Sequence, residues 1–129
     1  MRQFAYVSTA INLPASEIEN ILTVAQRNNL VREITGALLY NGRNFLQVIE
    51  GSEAALLSLM HQLRSDPRHS GVVQLIDRAI DRREFPDWAM QQIGLVEDIA
   101  RRRERLDAQL PVHVSPDIRE MFRNFAMLN

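Results

Sequence analysis

Residues 34–51 read ITGALLYNGRNFLQVIEG, and this stretch decides the fold. Its two apolar runs flank Asn41-Gly42, and that dipeptide between alternating hydrophobic residues is the strongest short-range signal of a β-hairpin. A two-residue loop would place Gly36 directly opposite Gln47 on one face of the sheet. We therefore expect a carboxamide on an apolar sheet face beside a residue without a side chain, which leaves room for a flat, polar ligand.

The bulk composition limits the classes of protein to which this chain can belong. Its 129 residues suit one domain with one core, and 46% hydrophobic with 24% charged residues is typical of a water-soluble globular protein. A formal net charge of -1 gives no electrostatic attraction to nucleic acid or to an anionic membrane. The absence of cysteine excludes disulfides, thiolate metal sites and cysteine nucleophiles. Because there is neither a long apolar run nor a signal peptide, we expect a cytoplasmic protein outside the membrane.

The segments before the hairpin predict a strand and then a helix. Residues 3–9 are rich in aromatic and β-favouring types, which indicates a strand. A helix start is indicated after Pro14, where Ser16 and Glu19 stand at the spacing of a capping box. The apolar face of that helix follows a helical period and carries Ile18, Ile21, Leu22, Ala25 and Asn29.

The segments after the hairpin predict a second helix and two more strands. Ser52 is a candidate N-cap for a helix that ends before Pro67. Residues 72–80 and 90–96 have the composition of strands. The resulting order is β-α-β-β-α-β plus one strand, which predicts the α+β class and a ferredoxin-like sheet with both helices on one face.

The opposite face of the hairpin is also apolar, and a sheet that is apolar on both sides needs cover on both sides. The tail is predicted to supply the second cover. Residues 97–109 favour a helix, and Ser115-Pro116-Asp117 starts a last helix with an apolar stripe. We expect residues 1–96 to form one domain and residues 97–129 to form a C-terminal helical extension. The candidate hinge is 109–115. The stripe of the last helix is Ile118, Met121, Phe122 and Phe125.

A few polar and aromatic side chains stand out against this scaffold. Tyr6 lies mid-strand, and Gln47 lies on the third strand, which neighbours the first in a ferredoxin-like sheet, so the two could touch. Each residue also has an ordinary structural alternative: a core tyrosine, a helix C-cap for one of the asparagines Asn28 and Asn29, or a core plug for Trp88. Taken together, however, several amides converge on one apolar face, and buried amides need partners.

The chain resembles the BLUF family of blue-light sensors that use flavin. The resemblance covers roughly the first 95 residues, a span that fits one domain. The matching segments occur in the family's order and with family-like spacing. They are Phe4–Ser8, Asn28-Asn29, Ile34–Tyr40, Phe45–Gly51, Asp66–His69 and Phe85–Met90.

The resemblance implies an FAD cofactor whose isoalloxazine ring lies between the two helices, over the sheet. It implies that Tyr6 is the photochemical electron and proton donor. It also implies that Gln47 bridges the tyrosine hydroxyl to N5 and the C4 carbonyl of the flavin. A glutamine amide carries a donor and an acceptor on one rotatable group. Rotation or tautomerisation would therefore exchange hydrogen bonds and red-shift the flavin absorption slightly.

The resemblance implies further cofactor contacts from the two helices and from the segment after the second helix. These residues are Ile21, Asn28, Asn29, Leu63, Arg68 and His69. The asparagines would hold the pyrimidine edge, the aliphatic side chains would pack on the ring faces, and the basic pair would meet the ribityl–phosphate portion. Trp88 and Met90 would relay the signal into the C-terminal helices, and either of the two could lie nearest the flavin.

The leading hypothesis is a short, stand-alone photosensor that is not an enzyme. It would signal through an unknown protein partner or through homo-oligomer formation. One alternative is a small-molecule-binding or catalytic ferredoxin-like domain without photochemistry. That alternative has little support, since no carboxylate pair has suitable spacing and His61, His69 and His113 are scattered. Nucleic-acid binding through 101–105 is disfavoured because acidic residues interrupt and flank the arginines, which is typical of a solvated helix face.

Overall fold

One five-stranded sheet with helices on both faces makes up the described part of the chain. The computed structural model describes residues 1–11, 13–95 and 98–127, except for the side chains of Ala15 and His69. The sheet order is β4-β1-β3-β2-β5, with β5 parallel to β2 and the other neighbours antiparallel, so the ferredoxin-like prediction is confirmed. The elements are β1 Arg2–Ala10, α1 Ala15–Arg32, β2 Thr35–Tyr40, β3 Asn44–Gly51, α2 Glu53–Ser65, β4 His69–Ala79, β5 Gln91–Ile93, α3 Ile99–Gln109 and α4 Pro116–Ala126.

The register of the β2–β3 hairpin differs from the prediction by two residues. Leu38, not Gly36, lies opposite Gln47, and Gly36 lies opposite Ile49. The predicted register was therefore wrong. Because the error is an even number of residues, every side chain remains on its predicted face of the sheet.

The turn chemistry explains the different register. The Asn41 N–H donates to the Asn44 carbonyl at 3.2 Å, so Gly42 and Arg43 are the two central residues, and Gly42 has a φ of 89°. The Asn41 side-chain oxygen accepts hydrogen bonds from the backbone N–H groups of Arg43 at 3.1 Å and Asn44 at 2.8 Å. An asparagine that bonds its own backbone in this way stabilises a turn that begins after it.

Gly36 makes room for the backbone of β3, not for a ligand beside Gln47. A Cβ atom at Gly36 would lie 1.9 Å from the Val48 carbonyl oxygen and 3.2 Å from the Ile49 Cα. The expected gap at this glycine was therefore wrong. A glycine in a strand commonly marks such a close approach of another backbone.

The sheet is covered on both faces, as the apolar pattern predicted. The cleft face, which is the sheet face under α1 and α2, carries Phe4, Tyr6, Leu38, Phe45, Gln47 and Ile49. The tail face, which lies under α3 and α4, carries Ala5, Ala37, Leu39, Leu46 and Val48. Leu106, Ile118, Phe122 and Phe125 are buried against the tail face. The tail helices thus complete a second core instead of projecting from the domain.

Helix α1 differs from the sequence prediction at both of its ends. It begins at Ala15, and the carbonyl of the capping residue Pro14 accepts from the backbone N–H groups of Glu17 at 3.0 Å and Ile18 at 3.3 Å. The predicted capping box was wrong, because the extended Pro14, not Ser16, is the N-cap and the helix begins two residues earlier. The helix continues to Arg32 and ends at Glu33 in the left-handed region, so neither Asn28 nor Asn29 is a C-cap.

The other helix starts agree with the sequence. The Ser52 hydroxyl caps α2 by accepting from the Ala55 N–H at 3.2 Å, and α2 ends before Pro67. Ser115 precedes α4, with proline as the first helical residue. The candidate hinge at 109–115 contains two side chains, Leu110 and Val114, that are buried in the core on the tail face. This segment is therefore packed at two points.

Strand β5 is shorter than predicted. Only Gln91–Ile93 pairs with β2, and Val96 lies outside the described residues. Gln109 of α3 explains the early end, since its side chain accepts from the Gly94 N–H at 3.1 Å and donates to the Gly94 carbonyl at 3.0 Å. These two hydrogen bonds occupy the Gly94 N–H and carbonyl, which are then not available to continue the ladder with β2.

The loop before β5 is anchored by a buried carboxylate. Glu50 is fully buried, and its side chain accepts from the backbone N–H groups of Glu84 and Phe85, both at 2.8 Å. It also accepts from the side chains of Gln3 at 3.1 Å and Thr35 at 3.2 Å. Hydrogen bonds to a charged acceptor are stronger than neutral ones, so this residue holds the loop firmly against the sheet.

Glu84 then connects that loop to α4. Its carboxylate accepts from the Ser115 backbone N–H and from Arg78, the latter at 3.2 Å. Burial by itself raises the pKa of Glu84, but the hydrogen bonds from Ser115 and Gln3 and the charge of Arg78 lower it below its usual value. The start of the last helix is therefore tied to the sheet by an ionised side chain.

None of the described helices combines the length and the apolar character needed to cross a membrane.

Replacing Gly36 by alanine should destabilise the protein strongly, because the new methyl group would collide with the β3 backbone. We expect a loss of about 3 kcal/mol or more in the free energy of unfolding, measured by chemical denaturation. Gly94→Ala is the matched control, since the nearest atom to a Cβ there is the flexible Gln109 Oε1 at 4.0 Å. Its effect should stay within about 0.5 kcal/mol. Equal stabilities of the two variants would contradict the close approach.

Candidate functional site

A cleft opens between α1 and α2, and the cleft face of the sheet forms its floor. The empty space between its walls is about 850 Å³, a volume that includes the open mouth. Tyr6, Leu38, Phe45 and Gln47 line the floor. The site is thus a mostly apolar slot with a few polar groups, which is the general form of a small-molecule site.

Tyr6 and Gln47 face each other across two neighbouring strands on the floor of the cleft. They form a directly opposed pair in the β1–β3 ladder. Such pairs have Cβ atoms about 4.5–5.5 Å apart, so the phenol and the carboxamide can reach one another. The structure therefore brings together the two residues that sequence reasoning placed on adjacent strands.

The Tyr6 side chain keeps its proton under all ordinary conditions. Its exposed fraction is 1%, and burial raises its pKa far above the ordinary value of 10.0. A buried phenol remains neutral because the low-dielectric surroundings disfavour the phenolate. The hydroxyl is therefore available as a hydrogen-bond donor at any physiological pH.

The Gln47 amide is held only weakly. Its Nε2 lies 3.1 Å from the Met90 sulfur, which is the partner that the structure gives it. A thioether is a weak acceptor, whereas the amide offers both a donor and an acceptor. Exchange of this contact for one with a stronger partner would thus meet little resistance.

Asn29 presents an unmatched acceptor inside the protein. Its Nδ2 donates to the Ala89 carbonyl at 2.8 Å, and its buried Oδ1 finds no donor among the described residues. An unsatisfied buried polar atom destabilises a protein by about 1–3 kcal/mol, so a ligand N–H would be favourable at this point. Asn28, in contrast, is exposed at the rim of the cleft.

The walls and the mouth of the cleft contain the other residues that the sequence singled out. Ile21 and Leu63 line it from α1 and α2. Arg68 lies at the mouth, where its guanidinium meets Asp66 at 2.5–3.1 Å and Glu17 at 3.5 Å. The hydrogen bond with Asp66, more than the charge of Glu17, raises the pKa of this arginine. The backbone of His69 begins β4, and its side chain lies outside the description.

Met90 lies in the cleft, and Trp88 packs against the core on the opposite, tail face of the sheet. Met90 is 1% exposed, belongs to the core on the cleft face and lines the cleft. Trp88 is half-buried and packs on the tail-face core, with its ring 5.4 Å from that of Phe85. Phe85 in turn lies 6.3 Å from Phe122 of α4, so aromatic contacts connect this segment with the last helix.

Sequence reasoning missed Gln26, which belongs to the surroundings of the cleft. Its Nε2 donates to the Met90 carbonyl at 2.9 Å. A signal was present, since Gln26 precedes Asn29 by three residues and shares its side of the helix. Among the described residues, no three His, Asp or Glu side chains gather to hold a metal ion.

Comparisons with known proteins place the chain among light sensors. A family model described as BLUF, sensors of blue-light using FAD, matches residues 1–91. The blue light- and temperature-regulated antirepressor BluF of Escherichia coli K12 is 33% identical over 82 residues, which are 64% of this chain and 20% of that protein. The photoactivated adenylate cyclase subunit beta of Euglena longa is 34% identical over 87 residues, 66% of this chain and 10% of that protein. The chain thus spans only a tenth to a fifth of these relatives' lengths.

Two solved structures are similar over nearly the whole chain. BlrB, a BLUF protein in its dark state, is 32% identical and has a TM-score of 0.74, covering 97% of this chain and 94% of its own. BlrP1 of Klebsiella pneumoniae, solved with FMN and cyclic diGMP, is 29% identical with a TM-score of 0.84, covering 97% of this chain and 34% of that one. The similarity therefore includes the tail helices as well as the sheet.

The described residues fit a flavin ring at this site. The unmatched Asn29 oxygen needs a donor, and an oxidised isoalloxazine carries an imide N–H between two carbonyl groups. Ile21 and Leu63 face the slot from opposite helices, as a flat aromatic ring requires. The cleft thus offers an imide partner at one edge and apolar walls on both ring faces.

The stability of the protein should depend on Tyr6 above pH 10.0, the ordinary pKa of tyrosine. The unfolded chain then releases this proton while the native state retains it, so the free energy of unfolding falls as pH rises. The contribution of one such group approaches about 1.4 kcal/mol per pH unit. The sequence contains 15 arginines and no lysine, so no lysine titrates in this range.

In Tyr6→Phe the free energy of unfolding should no longer fall in this way above pH 10.0. Tyr40→Phe, which changes the other tyrosine, should keep the fall. The measurement is urea denaturation between pH 9 and pH 11. The same slope in wild type and Tyr6→Phe would show that Tyr6 is not buried as described.

Proposed function

Because the chain belongs to the family of sensors of blue light using FAD, we propose that it is a blue-light photoreceptor with FAD bound in the cleft between α1 and α2. One observation carries the proposal: Tyr6 and Gln47 are directly opposed on the cleft floor, beneath an Asn29 oxygen that has no donor in the described part of the chain. We assign residues 1–96 to the flavin-binding domain and residues 97–129 to a helical extension that responds to it.

When bound, FAD would supply a chromophore that absorbs blue light and that, once excited, accepts an electron and a proton. Tyr6 would donate both to it, because the buried site does not stabilise the charged phenol that loss of the electron alone would leave. Gln47, directly across the ladder, turns its amide and exchanges which atom it offers as donor. The weak Met90 sulfur contact supports this role, since little is lost when the amide turns.

The other cleft residues bind and orient the ring. In this proposal Asn29 accepts the imide N–H, with Asn28 beside it at the rim. Ile21 and Leu63 pack on the two ring faces. Arg68 and His69 meet the ribityl–phosphate portion. The two carboxylates that already contact Arg68 would weaken its attraction for a phosphate, so the ring rather than the phosphate should supply most of the affinity.

The signal leaves through the segment 88–90. Met90 touches the turning amide, while Trp88 contacts Phe85, and Phe85 contacts Phe122 of α4. This chain of contacts supports an output at the tail helices, as a changed surface for a protein partner or as changed self-association. An antirepressor and cyclase subunits among the relatives support an output through other protein parts instead of catalysis in this domain.

Tyr6→Phe and Gln47→Leu should each bind FAD and lose the light-induced red shift of the flavin spectrum. The first lacks the proton-bearing hydroxyl, and the second lacks a turning amide. Tyr40→Phe is the control, because Tyr40 stacks on Phe45 but is not among the described residues that line the cleft, so this variant should keep the full shift. Absorption spectra before and after blue illumination give the answer. A normal shift in either site variant contradicts the assigned roles, and a wild-type protein that takes up no FAD refutes the function itself.

Asn29→Ala should lower the affinity for FAD about tenfold, the equivalent of one net hydrogen bond of about 1.4 kcal/mol. Asn28→Ala is the neighbouring control, and its effect should stay within about twofold because that side chain is exposed. Titration of the flavin-free protein with FAD, followed by the quenching of flavin fluorescence, measures both constants. Equal losses in the two variants would contradict the assignment of the buried oxygen to the imide.

A further inference from the structure

Three successive backbone carbonyls before β5 are each held by a separate donor. The Trp88 carbonyl accepts from the Gly36 N–H at 2.8 Å, and the Ala89 carbonyl accepts from Asn29 Nδ2 at 2.8 Å. The Met90 carbonyl accepts from Gln26 Nε2 at 2.9 Å. Two of the three donors are amide side chains one turn apart on α1. The position of this segment therefore depends on α1 as much as on the sheet.

Among the described residues, the backbone of Met90 takes no part in the β2–β5 ladder. The ladder with β2 begins only at Gln91 and ends at Ile93, so Met90 lies just outside it. Its carbonyl is fixed by the Gln26 amide, and its sulfur lies against the Gln47 amide. Loss of the Gln26 hydrogen bond would thus allow the Met90 sulfur to move away from the Gln47 amide.

Gln26 is separate from the cleft itself. Its side chain is exposed on α1 and does not line the cleft, whereas Asn29 does. A substitution at Gln26 can therefore change the position of Met90 while the ring contacts remain. This separation distinguishes a positioning residue from one that binds the cofactor.

We propose that Gln26 is a positioning residue: by holding the Met90 carbonyl it keeps the Met90 sulfur beside the Gln47 amide, and so sets the rate at which the dark state returns. The role in recovery rests on the proposed function, because it assumes that the Gln47 amide turns in light. The return needs Met90 in place to receive the amide N–H. Without the Gln26 donor, the sulfur is less often in place, and recovery slows.

The kinetic experiment compares recovery of the flavin spectrum in the dark for FAD-loaded variants of the full chain. Gln26→Glu keeps the size but presents a carboxylate that cannot donate, and we expect recovery about fivefold slower, as for one net hydrogen bond. Gln26→Lys keeps a donor and should recover at nearly the wild-type rate. Arg27→Ala, at the next and exposed position, should recover at the wild-type rate. FAD affinity should be the same in all four proteins.

A double-mutant cycle tests whether the effect passes through Met90. In a Met90→Leu background the sulfur is absent, so adding Gln26→Glu should change recovery by less than about twofold. The same fivefold slowing in both backgrounds overturns the proposal, because Gln26 would then act by another route. Unchanged recovery in Gln26→Glu also overturns it.

A measurement without illumination separates this proposal from the proposed function. The Met90 methyl resonance, assigned by its absence in Met90→Leu, should shift in Gln26→Glu and stay in place in Gln26→Lys, in the full chain as purified and kept dark. A methyl shift without any photoresponse in wild type would support the positioning contact and refute the photoreceptor role together with the kinetic part of this proposal. An unmoved methyl in Gln26→Glu overturns the positioning role itself.

Discussion

The burial of β3 on both of its faces is the constraint on which the rest of the structure depends. Every residue from Phe45 to Gly51 is buried, so neither face of the central strand can meet water. Two helical layers must therefore cover the sheet: α1 with α2 on one side and α3 with α4 on the other. The ligand cleft and the tail helices consequently share the same strands, with only one sheet between them.

The buried Glu50 carboxylate extends this constraint to the loop before β5. It holds the backbone of Glu84 and Phe85, and the chain then runs past α1, where amide side chains hold the next carbonyls. Within this short segment Met90 enters the core on the cleft face, and Trp88 enters the core on the tail face. Residues two apart in a regular strand would share a face. The chain therefore bends between Trp88 and Met90, so this short segment contacts both cores.

Much of the fold could be predicted because hydrophobic alternation decides the face of each strand residue, and alternation is visible in sequence. The double cover follows from it. The element order also needed cap, turn and helical-period signals, and the neighbourhood of Tyr6 and Gln47 followed from the ferredoxin-like strand order. The register could not be predicted this way, because the hydrogen bonds of the Asn41 side chain determine which two residues form the turn. The role of Gly36 could not be predicted either, because a close approach of two strand backbones does not change the hydrophobic alternation of either strand.

The amino-acid sequence by itself determined the layers and the faces of this light-sensor family member, because periodicity and residue type are local properties of the chain. Most of its candidate site residues came from the resemblance to the family. The tertiary structure alone decided that Met90 and not Trp88 enters the cleft, that Gln26 holds the Met90 carbonyl, and that the Asn29 oxygen meets no donor within residues 1–11, 13–95 and 98–127. The Gln26 and Asn29 amides make their hydrogen bonds to segments about 60 residues away in sequence. Such pairings are set by how packed elements meet, which no local pattern specifies.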